Sequence, residues 1–581
     1  MKAGENTVRT VKGERIVRCI LMKPYALNPC FEYRDIREML QGSADTYGND
    51  VAYSYRVSPS DAESVKVTFN EVLAQVSDLS ATLVELGCSG KHCAIVGKLT
   101  YSWIKIYYAL LNVGAVVVPL DREWTGSELA TTVAFADCEF IFHDADLKDK
   151  IDTVCANEAC RIIGRYVMGG EGDGTIAALE ARGAAMEEKP ELPEIDPEVC
   201  AEIVFTSGTT GKGKGVMLSQ KAILTDIAGG MEYISVGKKT MAVLPPHHTF
   251  GTTVNMIGHM LVGTEVYLSS GLRYIQKELK AEQPEHLILV PLYLETFYRK
   301  IQANVKETGK EVILGHMMKV SNGLRRVKVD LRAKLFNSIL SVFGGKLKLV
   351  ICGGAPLNAE IIHDYESWGI SVLNGYGITE CAPLLSVNRN RERVPGSVGR
   401  ILRCVDMVIA DPNEDGEGEI RVKGPNVMMG YYKDEEATAA AFDEDGYFRT
   451  GDYGKIEDGI LTITGRLKNL IILSNGKNVY PEEIETELNA TGGILEIVVY
   501  EGQSERGSAY NTIVAEIYPD PDYMKANEIE DVAAYLKAKI DDYNRTATPY
   551  KKVGLLKVRK EEFPKNTLRK IKRFELDRTI K

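Results

Sequence analysis

A glycine-rich stretch at residues 206–216, with the sequence TSGTTGKGKGV, has the composition of a polyphosphate-binding loop. Glycines let the backbone curl without side-chain clashes, so that successive backbone N–H groups can face an anion. The stretch also carries hydroxyl groups and two lysines, Lys212 and Lys214, whose charge can neutralise phosphate oxygens. An apolar run at residues 203–205 precedes it, which predicts that the loop follows a buried strand. The alternative, an ordinary flexible turn, does not explain why all these features occur together.

The same stretch nearly matches the phosphate-binding loop GxxxxGK[ST], from Gly208 to Lys214. The match fails at Gly215, where that loop needs a serine or threonine hydroxyl to bind Mg²⁺. This failure argues against a P-loop nucleotidase. The interpretation therefore depends on motifs further along the chain.

Six further motifs follow the glycine-rich loop. They are LPPHHTFG at 244–251, GGAPL at 353–357, NGYGITE at 374–380, TGD at 450–452, GRLKNLII at 465–472 and PKNTLRKIKR at 564–573. Together with the loop, this ordered set resembles the AMP-binding superfamily of acyl-CoA synthetases, luciferases and peptide-synthetase adenylation domains. The resemblance extends over nearly the whole chain, from about residue 35 to residue 573.

The resemblance implies which residues hold ATP and AMP. Tyr376 stacks on adenine, an interaction that contributes about 1–3 kcal/mol per base. Asp452 accepts hydrogen bonds from both ribose hydroxyls, and Arg466 supports the same sugar. Gly353 forms part of one wall of the adenine slot. The other residues implied to bind the nucleotide are Thr206, Ser207, Gly208, Thr209, Thr210, Gly211, Gly354, Ala355, Pro356, Asn374, Gly375 and Gly377.

The same resemblance implies four catalytic residues, which are Thr379, Glu380, Lys214 and Lys570. Thr379 binds the α-phosphate, and Glu380 is the metal residue, since carboxylate oxygen is a ligand that Mg²⁺ prefers. Lys570 bridges the substrate carboxylate and the α-phosphate as negative charge builds in the transition state.

The segment around Lys570 departs from the family pattern. Leu568 and Arg569 replace the serine and glycine that usually precede the catalytic lysine. Lys565, Arg569 and Lys572 are close in sequence and stay open as alternatives for the catalytic cation. The other interpretation of this segment is a solvated basic tail.

The motif LPPHHTFG at 244–251 contains a pair of histidines, His247 and His248. His248 matches the family's histidine at the entrance of the acyl pocket, and Gly251 belongs to the same segment. His247 is an adjacent alternative for this role. A metal site at the pair is disfavoured, because no third ligand occurs at a suitable spacing.

Lys468 matches the family's hinge residue, two positions after Arg466. A swing there removes Lys570 after adenylation and brings residues 476–481 toward the acyl-AMP, a lid-type step. The predicted domains are a large N-terminal AMP-binding domain, residues 1–466, and a small C-terminal lid domain, residues 467–581. The alternative for the hinge segment is a plain surface loop.

The elements that position these motifs alternate between helices and strands. Helices are predicted at 35–47 and 69–87 and strands at 92–98 and 116–120, a pattern typical of α/β layers. A chain of 581 residues is too long for one core, so several subdomains are expected. The predicted fold class is α/β: a multi-subdomain adenylation domain with a small mobile α+β C-terminal domain, as in acyl-CoA synthetases. Residues 169–193 are predicted to be a surface excursion.

Composition excludes some partners and compartments. The formal charge of −11 disfavours nucleic acid, because phosphates repel an acidic protein. The 11 cysteines contain no CxxC pair and the first residues carry many charges, so a reduced, cytoplasmic protein is expected. The most apolar stretch, 99–120, is interrupted by polar residues, so no transmembrane segment is predicted. A homodimer and a weak contact with a membrane surface stay open.

The predicted function is an ATP-dependent ligase that forms an acyl-AMP and then an acyl-CoA thioester, using ATP, Mg²⁺ and coenzyme A. Residues 287–300 and the helical stretch after them resemble the longer-chain ligases, which places the protein in fatty acid metabolism, with a medium- or long-chain fatty acid as its substrate. One alternative is a ligase for acyl-carrier protein, or a CoA ligase for aryl or short-chain acids. A second alternative, from another class, is a noncatalytic protein that senses nucleotide.

Overall fold

The computed structural model describes residues 6–11, 14–19, 26–28, 31–206, 213–472, 478–503, 509–565 and 571–580. The strands before residue 200 are β1 (Asn6–Val11), β2 (Glu14–Cys19), β3 (Val51–Tyr55), β4 (Val65–Thr68), β5 (His92–Val96), β6 (Val116–Leu120), β7 (Cys138–His143) and β8 (Gly164–Val167). The helices before residue 200 are α1 (Ile36–Tyr47), α2 (Phe69–Glu85), α3 (Tyr101–Asn112), α4 (Gly126–Phe135), α5 (Lys148–Cys155) and α6 (Ile176–Ala184).

The middle of the chain continues the alternation. Its strands are β9 (Cys200–Thr206), β10 (Lys214–Ser219), β11 (Lys239–Ala242), β12 (Glu265–Leu268), β13 (His286–Leu289), β14 (Leu349–Cys352), β15 (Ser371–Gly377) and β16 (Leu384–Val387). Its α-helices are α7 (Gln220–Tyr233), α8 (Gly258–Val262), α9 (Ile275–Glu282), α10 (Pro291–Glu307), α11 (Glu311–Arg326), α12 (Arg332–Leu335), α13 (Asn337–Leu340) and α14 (Ala359–Trp368). A π-helix, Phe250–Ile257, precedes α8.

The last third of the chain is richer in strands. They are β17 (Gly399–Ile401), β18 (Asp406–Ala410), β19 (Gly418–Lys423), β20 (Gly430–Tyr431), β21 (Phe448–Glu457), β22 (Ile460–Arg466), β23 (Ile471–Ile472), β24 (Asn478–Val479), β25 (Ile494–Gln503), β26 (Ala509–Pro519) and β27 (Leu555–Val558). The α-helices are α15 (Glu435–Ala441), α16 (Pro481–Asn489), α17 (Pro521–Ala526) and α18 (Val532–Thr546).

Local sequence fixes where several helices begin. Thr68 and Glu71 form a capping box at the start of α2, in which each side chain accepts a hydrogen bond from the other residue's backbone N–H. The same arrangement, made by Thr125 and Glu128, begins α4. Pro291 occupies the first turn of α10, where its fixed φ suits the helix and its missing N–H removes no hydrogen bond.

Two sheets build the large domain. The first has 15 strands in the order β1-β2-β18-β19-β21-β22-β17-β16-β15-β14-β13-β11-β12-β3-β4. The second has 7 strands in the order β20-β10-β9-β6-β5-β7-β8. In the first sheet β15, β14, β13, β11, β12 and β3 pair in parallel, whereas β15 pairs antiparallel with β16. Parallel pairing therefore stops at β15, the strand that contains Tyr376.

A smaller C-terminal domain follows. Its sheet has the order β25-β26-β27, and apolar residues of α16 and α18 pack with it in one buried cluster that includes Ile484, Val499 and Leu536. The predicted combination of a large α/β N-terminal domain and a smaller C-terminal α+β domain is confirmed. Among the described residues, no helix combines the length and apolar content needed to cross a bilayer.

The segment 169–193 is more ordered than the sequence predicts. It contains α6, which packs against α2 and buries Ile176 and Leu179. Gly183 allows this contact, because a Cβ there would lie 1.8 Å from the Asp78 carbonyl oxygen. The prediction of a plain surface excursion is wrong, since α6 has a buried face that its alanine-rich sequence does not make conspicuous.

A glutamate carboxyl group on β9 is buried, and we expect it to make the stability of the fold depend on pH. Glu202 is fully buried, and the Tyr107 hydroxyl donates to its Oε2 over 3.3 Å. Burial raises the pKa of Glu202 from its ordinary value of 4.5 to about 8. An acid whose pKa is higher in the folded than in the unfolded state binds more protons when the protein is folded. It therefore stabilises the fold at a pH below its unfolded-state pKa, and this stabilisation is lost as the pH rises through its folded-state pKa.

We expect Glu202→Gln to reduce this pH dependence, because glutamine does not ionise. The melting temperatures of the variant and the unsubstituted protein should differ little near a pH of about 5. At a pH of about 8.5 the free energy of unfolding of the variant should exceed that of the unsubstituted protein. Relative to the difference at a pH of about 5, this gain should be on the order of 4 kcal/mol. Thermal melts followed by circular dichroism across this range measure the difference. A difference that is independent of pH would contradict the assignment of an elevated pKa.

Candidate active site

The carboxyl ends of parallel strands gather the predicted motifs at one edge of the first sheet. The histidine pair follows β11, residues 353–356 follow β14, and Tyr376 lies near the end of β15. Val290, which follows β13, belongs to the same row. Ligands of open α/β sheets bind in the crevice outside the carboxyl ends of the strands. The carboxyl ends of β11, β13, β14 and β15 therefore mark the candidate site.

The segment after β14 forms an open ledge beside β15. Gly353 is buried, and a Cβ there would lie 3.3 Å from both the Gly375 carbonyl oxygen and the Phe250 ring. Gly354 has a φ of +88°, which favours glycine. Gly354 is exposed, as are Ala355 and Pro356 after it. Asn374 on β15 is the cross-strand neighbour of Cys352, the last residue of β14 before the ledge.

Tyr376, Asp452 and Arg466 form a connected polar cluster. The Tyr376 hydroxyl donates to Asp452 Oδ2 over 2.6 Å, and Arg466 Nε lies 2.8 Å from Asp452 Oδ1. Asp452 and Arg466 are cross-strand partners on β21 and β22, so the pairing of these strands fixes the contact. The Asp452 side chain is 3% exposed and that of Arg466 is 54% exposed.

Electrostatics in this cluster follow from the buried carboxylate. Burial, reinforced by the charge of Asp452, raises the pKa of Tyr376 well above its ordinary value. The carboxylate of Asp452 is also the largest influence that raises the pKa of Arg466. Each carboxylate oxygen of Asp452 has two lone pairs, so each can accept a further hydrogen bond beside the one it holds. The cluster can thus receive two neighbouring hydroxyl groups.

Glu380 belongs to a second cluster, four residues beyond Tyr376. The Tyr431 hydroxyl donates to Glu380 Oε1 over 3.1 Å, and Lys214 Nζ lies 4.3 Å from the centre of the Tyr431 ring. Lys214 begins β10 directly opposite Thr206, the last residue of β9. Burial and the charge of Glu380 raise the pKa of Tyr431, so this phenol stays neutral and donates. The structure thereby brings together three predicted residues, Thr206, Lys214 and Glu380.

The turn that carries Thr379 and Glu380 is held by buried polar contacts. These two residues lie in a 3₁₀ turn, Thr379–Cys381, whose Glu380 carbonyl oxygen accepts from the Met428 N–H over 2.8 Å. Asn426 is fully buried, and its Nδ2 lies 3.2 Å from the Cys381 carbonyl oxygen and 3.1 Å from Asp226 Oδ1. Hydrogen bonds from the buried Asn426 Nδ2 therefore tie this turn to α7, which carries Asp226.

Sequence reasoning missed Tyr431 and Asn426. Tyr431 lies on the two-residue strand β20 and reaches the site only because β20 pairs with β10. A two-residue strand has no periodicity that predicts it. The one available signal is the aromatic pair of Tyr431 and Tyr432 after Gly430, between two recognisable motifs.

The histidine pair differs in burial. The rings of His247 and His248 have centres 4.2 Å apart. His247 is buried, with Nε2 3.6 Å from Asp121 Oδ2, and burial lowers the pKa of His247 although Asp121 opposes the shift. His248 is only partly buried. His248 is therefore the more accessible of the two rings.

Gly251 and Phe250 join the histidines to the ledge. The His248 carbonyl oxygen accepts from the Gly251 N–H over 2.8 Å. A Cβ at Gly251 would lie 2.3 Å from the Pro245 carbonyl oxygen, so this turn requires glycine. Both residues lie in the π-helix, Phe250–Ile257, and the ring of Phe250 reaches Gly353. Irregular helical turns of this kind occur frequently at functional sites.

A sequence profile described as AMP-binding enzyme matches residues 40–432. The chain belongs to this family of AMP-binding enzymes. The long-chain-fatty-acid–CoA ligase FadD15 of Mycobacterium bovis is 28% identical over 458 residues, which cover 74% of this chain and 75% of that relative. The chloroplastic long-chain-fatty-acid–[acyl-carrier-protein] ligase AEE15 of Arabidopsis thaliana is 26% identical over 556 residues, covering 82% of this chain and 75% of the relative.

Solved structures share the fold. ATP-bound MatB from Rhodopseudomonas palustris superposes with a TM-score of 0.72 at 24% identity, covering 93% of this chain and 97% of that one. The predicted resemblance to AMP-binding enzymes and the predicted fold class are both confirmed.

Part of the predicted AMP-binding site lies outside the described residues. Ser207, Gly208, Thr209, Thr210, Gly211 and Lys212 belong to this group, as do Arg569 and Lys570. Two neighbouring cations are described. Lys565 forms ion pairs with Glu496 and Glu562, and Lys572 Nζ lies 3.0 Å from Glu575 Oε1. Both lysines thus have carboxylate partners within the C-terminal domain of this AMP-binding enzyme.

Lys468, the predicted hinge residue, follows β22, a strand of the 15-stranded sheet. Lys468 is exposed, in a 3₁₀ turn, Leu467–Asn469, directly after β22. Asn469 Nδ2 donates to Glu482 Oε1 over 2.6 Å, and the rings of Tyr453 and Tyr480 stack with centres 5.3 Å apart. Lys306 Nζ on α10 donates to Asn527 Oδ1, directly after α17, over 2.5 Å.

The Gly377→Ala variant should lose stability and nucleotide binding together. A Cβ at Gly377 would lie 2.0 Å from the Pro383 carbonyl oxygen, which also accepts the Ile378 N–H over 2.8 Å. Relief of this clash must shift Tyr376, so we expect a destabilisation of roughly 1–3 kcal/mol and weaker ATP binding. Thermal melts and calorimetric titration with ATP measure both effects. Gly169→Ala is the matched control, because nothing lies within 4 Å of the Cβ that it adds. The same melting temperature and the same ATP affinity in both variants would contradict this account.

Proposed function

We propose that this AMP-binding enzyme is an ATP-dependent acid–thiol ligase. It converts a carboxylic acid and ATP to an acyl-AMP and pyrophosphate, and then transfers the acyl group to the thiol of coenzyme A with release of AMP. The supporting observation is the connection of two clusters through residues 374–380. One cluster, at Tyr376 and Asp452, has hydroxyl-accepting oxygens beside an aromatic ring, and the other, at Glu380 and Lys214, has the charges that a phosphate group requires.

In the first half-reaction, a carboxylate oxygen of the acid attacks the α-phosphorus of ATP. The P–O bond to the pyrophosphate group breaks as the new bond forms, and pyrophosphate leaves with the electron pair. Tyr376 stacks on adenine and Asp452 accepts the ribose hydroxyls, which fixes the α-phosphate near Thr379. Lys214 and Lys570 neutralise the charge that builds on the phosphate oxygens, which is the main source of catalysis in phosphoryl chemistry.

The donor set at Glu380 fits a Mg²⁺ ion that arrives with ATP. Mg²⁺ usually takes one or two carboxylates together with substrate phosphates and waters. Glu380 offers one carboxylate, and its Oε1 already accepts a hydrogen bond from Tyr431, which orients the group. Within the described ranges, no group of three or more histidine, cysteine, aspartate or glutamate side chains could hold a metal ion. When bound, the ion would neutralise phosphate charge, with Glu380 as its protein ligand.

The second half-reaction needs a different arrangement of the domains. The thiolate of coenzyme A attacks the acyl carbonyl, and the bond to AMP breaks. We place the domain boundary between residues 466 and 467 and the hinge near Lys468. The exposure of Lys468 and the directly preceding Arg466–Asp452 contact support this position, since rotation at residue 468 leaves the ribose cluster intact. Rotation withdraws Lys570 and brings residues 476–481 to the acyl-AMP.

For the acid we propose a medium- or long-chain fatty acid. FadD15 of Mycobacterium bovis, a long-chain-fatty-acid–CoA ligase, supports this choice by its similarity over 74% of this chain. His248 and Gly251 would line the entrance of the acyl pocket, where Gly251 belongs to the apolar π-helix. The similarity to the acyl-carrier-protein ligase AEE15 keeps a carrier protein as the second candidate acceptor.

A two-stage assay tests the proposed function. ATP–pyrophosphate exchange is measured with acetate, benzoate, octanoate, palmitate or no acid, and the acids that support exchange are then supplied with coenzyme A or holo-acyl-carrier protein. We expect exchange that depends on the acid and is strongest with the longer chains, followed by thioester formation with coenzyme A. Exchange with acetate or benzoate alone would contradict the fatty-acid assignment. Absence of acid-dependent exchange would contradict the ligase assignment.

A further inference from the structure

Helix α11 presents apolar side chains to solvent along one face. Val312, Ile313 and Val320 on this helix are 71%, 57% and 59% exposed, and Val327, the residue directly after its last turn, is 69% exposed. Their positions, together with His316, Lys319, Gly323 and Arg326, repeat at the spacing of one helix face, and all of these residues are exposed. We call this the outer face of α11. Four large aliphatic side chains in one exposed stripe differ from the scattered single residues normal on protein surfaces.

The opposite face of α11 holds the helix to the large domain. Leu314, Met317 and Met318 pack against the buried cluster that contains Phe297 and Tyr365. Asn322 Nδ2 donates to Ser367 Oγ on α14 over 2.9 Å. The inner face of the helix is therefore packed, whereas no described residue covers its outer apolar side chains.

The same region is basic in an acidic protein. Residues 310–334 contain seven lysines and arginines and two acidic residues, whereas the whole chain has a formal charge of −11. One of the two acidic residues, Asp330, forms an ion pair with Arg332, whose guanidinium lies 2.6 Å from Asp330 Oδ2. Hydrogen bonds from this guanidinium lower the pKa of Asp330 to about 2. In the part of the chain that the structure describes, Lys319, Arg326 and Lys328 have no carboxylate at ion-pair distance.

We propose that the outer face of α11, with the segment that follows it to Lys334, docks on an anionic lipid surface. Aliphatic side chains flanked by lysines and arginines are the composition of interfacial helices, in which the apolar groups enter the headgroup region and the cations meet anionic lipids. A two-fold dimer through the same face would set the basic patch against its own copy, which like-charge repulsion opposes. An anionic bilayer satisfies both the exposed apolar residues and the local positive charge.

Docking at this helix would bring the membrane near the candidate site. α11 packs against α10 and α14. α10 begins just after the end of β13, and α14 begins just after the ledge that follows β14. Under the proposed function, a fatty acid dissolved in the bilayer would reach the enzyme from this side. That consequence rests on the proposed function, whereas lipid binding itself does not.

Cosedimentation of the full chain with vesicles tests the proposal. We expect binding to vesicles of equimolar phosphatidylglycerol and phosphatidylcholine, weaker binding to phosphatidylcholine alone, and a decrease with added salt. Lys319→Glu/Arg326→Glu should lower the partition coefficient roughly 30-fold or more, because each cation near such a surface contributes about 1 kcal/mol. Val312→Ser/Ile313→Ser should also weaken binding, through loss of apolar burial.

Matched controls carry the same chemical changes elsewhere. Lys66→Glu/Lys280→Glu alters the net charge equally, at exposed lysines, and Val57→Ser/Ile163→Ser alters two exposed aliphatic residues. Both should bind vesicles as the unsubstituted protein does. Circular dichroism melts verify that all variants fold. The proposal would be overturned if the α11 variants and the control variants lost vesicle binding equally, or if the unsubstituted protein did not bind the anionic vesicles. It would also be overturned if the protein formed a concentration-dependent dimer that the α11 changes abolish. The measurement uses no acid, ATP or coenzyme A, so its failure is distinct from failure of the ligase assignment.

Discussion

Lys570→Ala should lower the rate of acyl-AMP formation by roughly 10²–10³-fold, the usual effect of removing one group that stabilises transition-state charge. Thioester formation from supplied acyl-AMP and coenzyme A should change only a few-fold, because the proposed hinge motion withdraws Lys570 before that step. Rapid-quench measurement of pyrophosphate release and of thioester formation separates the two half-reactions.

Lys572→Ala is the control for this prediction. Lys572 is two residues away and already has a partner in Glu575, so its loss should affect neither half-reaction strongly. If Lys572→Ala instead abolishes adenylation and Lys570→Ala does not, the catalytic cation has been assigned to the wrong residue. An equal loss in both half-reactions for Lys570→Ala would show that this lysine acts in some other way.

Asp452→Asn should weaken ATP binding by roughly 10- to 100-fold. Charge-assisted hydrogen bonds contribute about 1.5–3 kcal/mol each, and asparagine has only one acceptor oxygen in place of two. Arg466 would also lose its ion-pair partner, 2.8 Å away, although its greater exposure lets water replace part of that contact. Calorimetric titration with ATP measures the dissociation constant, and a thermal melt measures the cost of altering a buried carboxylate.

Tyr376→Phe is the companion variant for Asp452→Asn. It retains the ring that stacks on adenine and removes only the hydroxyl that donates to Asp452 over 2.6 Å. We expect a loss of about tenfold or less in ATP affinity, since a typical neutral hydrogen bond contributes about 0.5–1.5 kcal/mol. Unchanged ATP affinity in Asp452→Asn would mean that the nucleotide does not use this cluster.

Much of the fold could be predicted because local signals agree with tertiary packing. The helix expected at 35–47 is α1, Ile36–Tyr47, whose Asp35 caps the first turn by accepting from the Glu38 N–H. The strand expected at 116–120 is β6, buried at every position. The helix α6 was missed because its buried face is defined by contact with α2 and by the close approach at Gly183, neither of which appears in its own sequence.

The candidate site was predictable where contiguous motifs carry its residues. Tyr376, Glu380 and Asp452 lie in such motifs, and the structure brings them into two adjoining clusters. Tyr431, Asn426 and Asp226 could not be predicted, because their roles arise from strand pairing and buried hydrogen bonds between segments up to 200 residues apart. Lys570 and the residues of the glycine-rich loop from Ser207 to Lys212 lie outside the described residues, so their roles stay predictions.

A crystal structure with a non-hydrolysable acyl-AMP analogue, an acyl-sulfamoyl adenosine, tests the central claim most directly. The account predicts adenine against Tyr376 and the ledge at residues 353–356, ribose hydroxyls on Asp452, the sulfamoyl group beside Thr379, and the acyl chain leading past His248. A nucleotide bound in another cavity, with Tyr376, Asp452 and Lys214 all distant from it, would contradict the account.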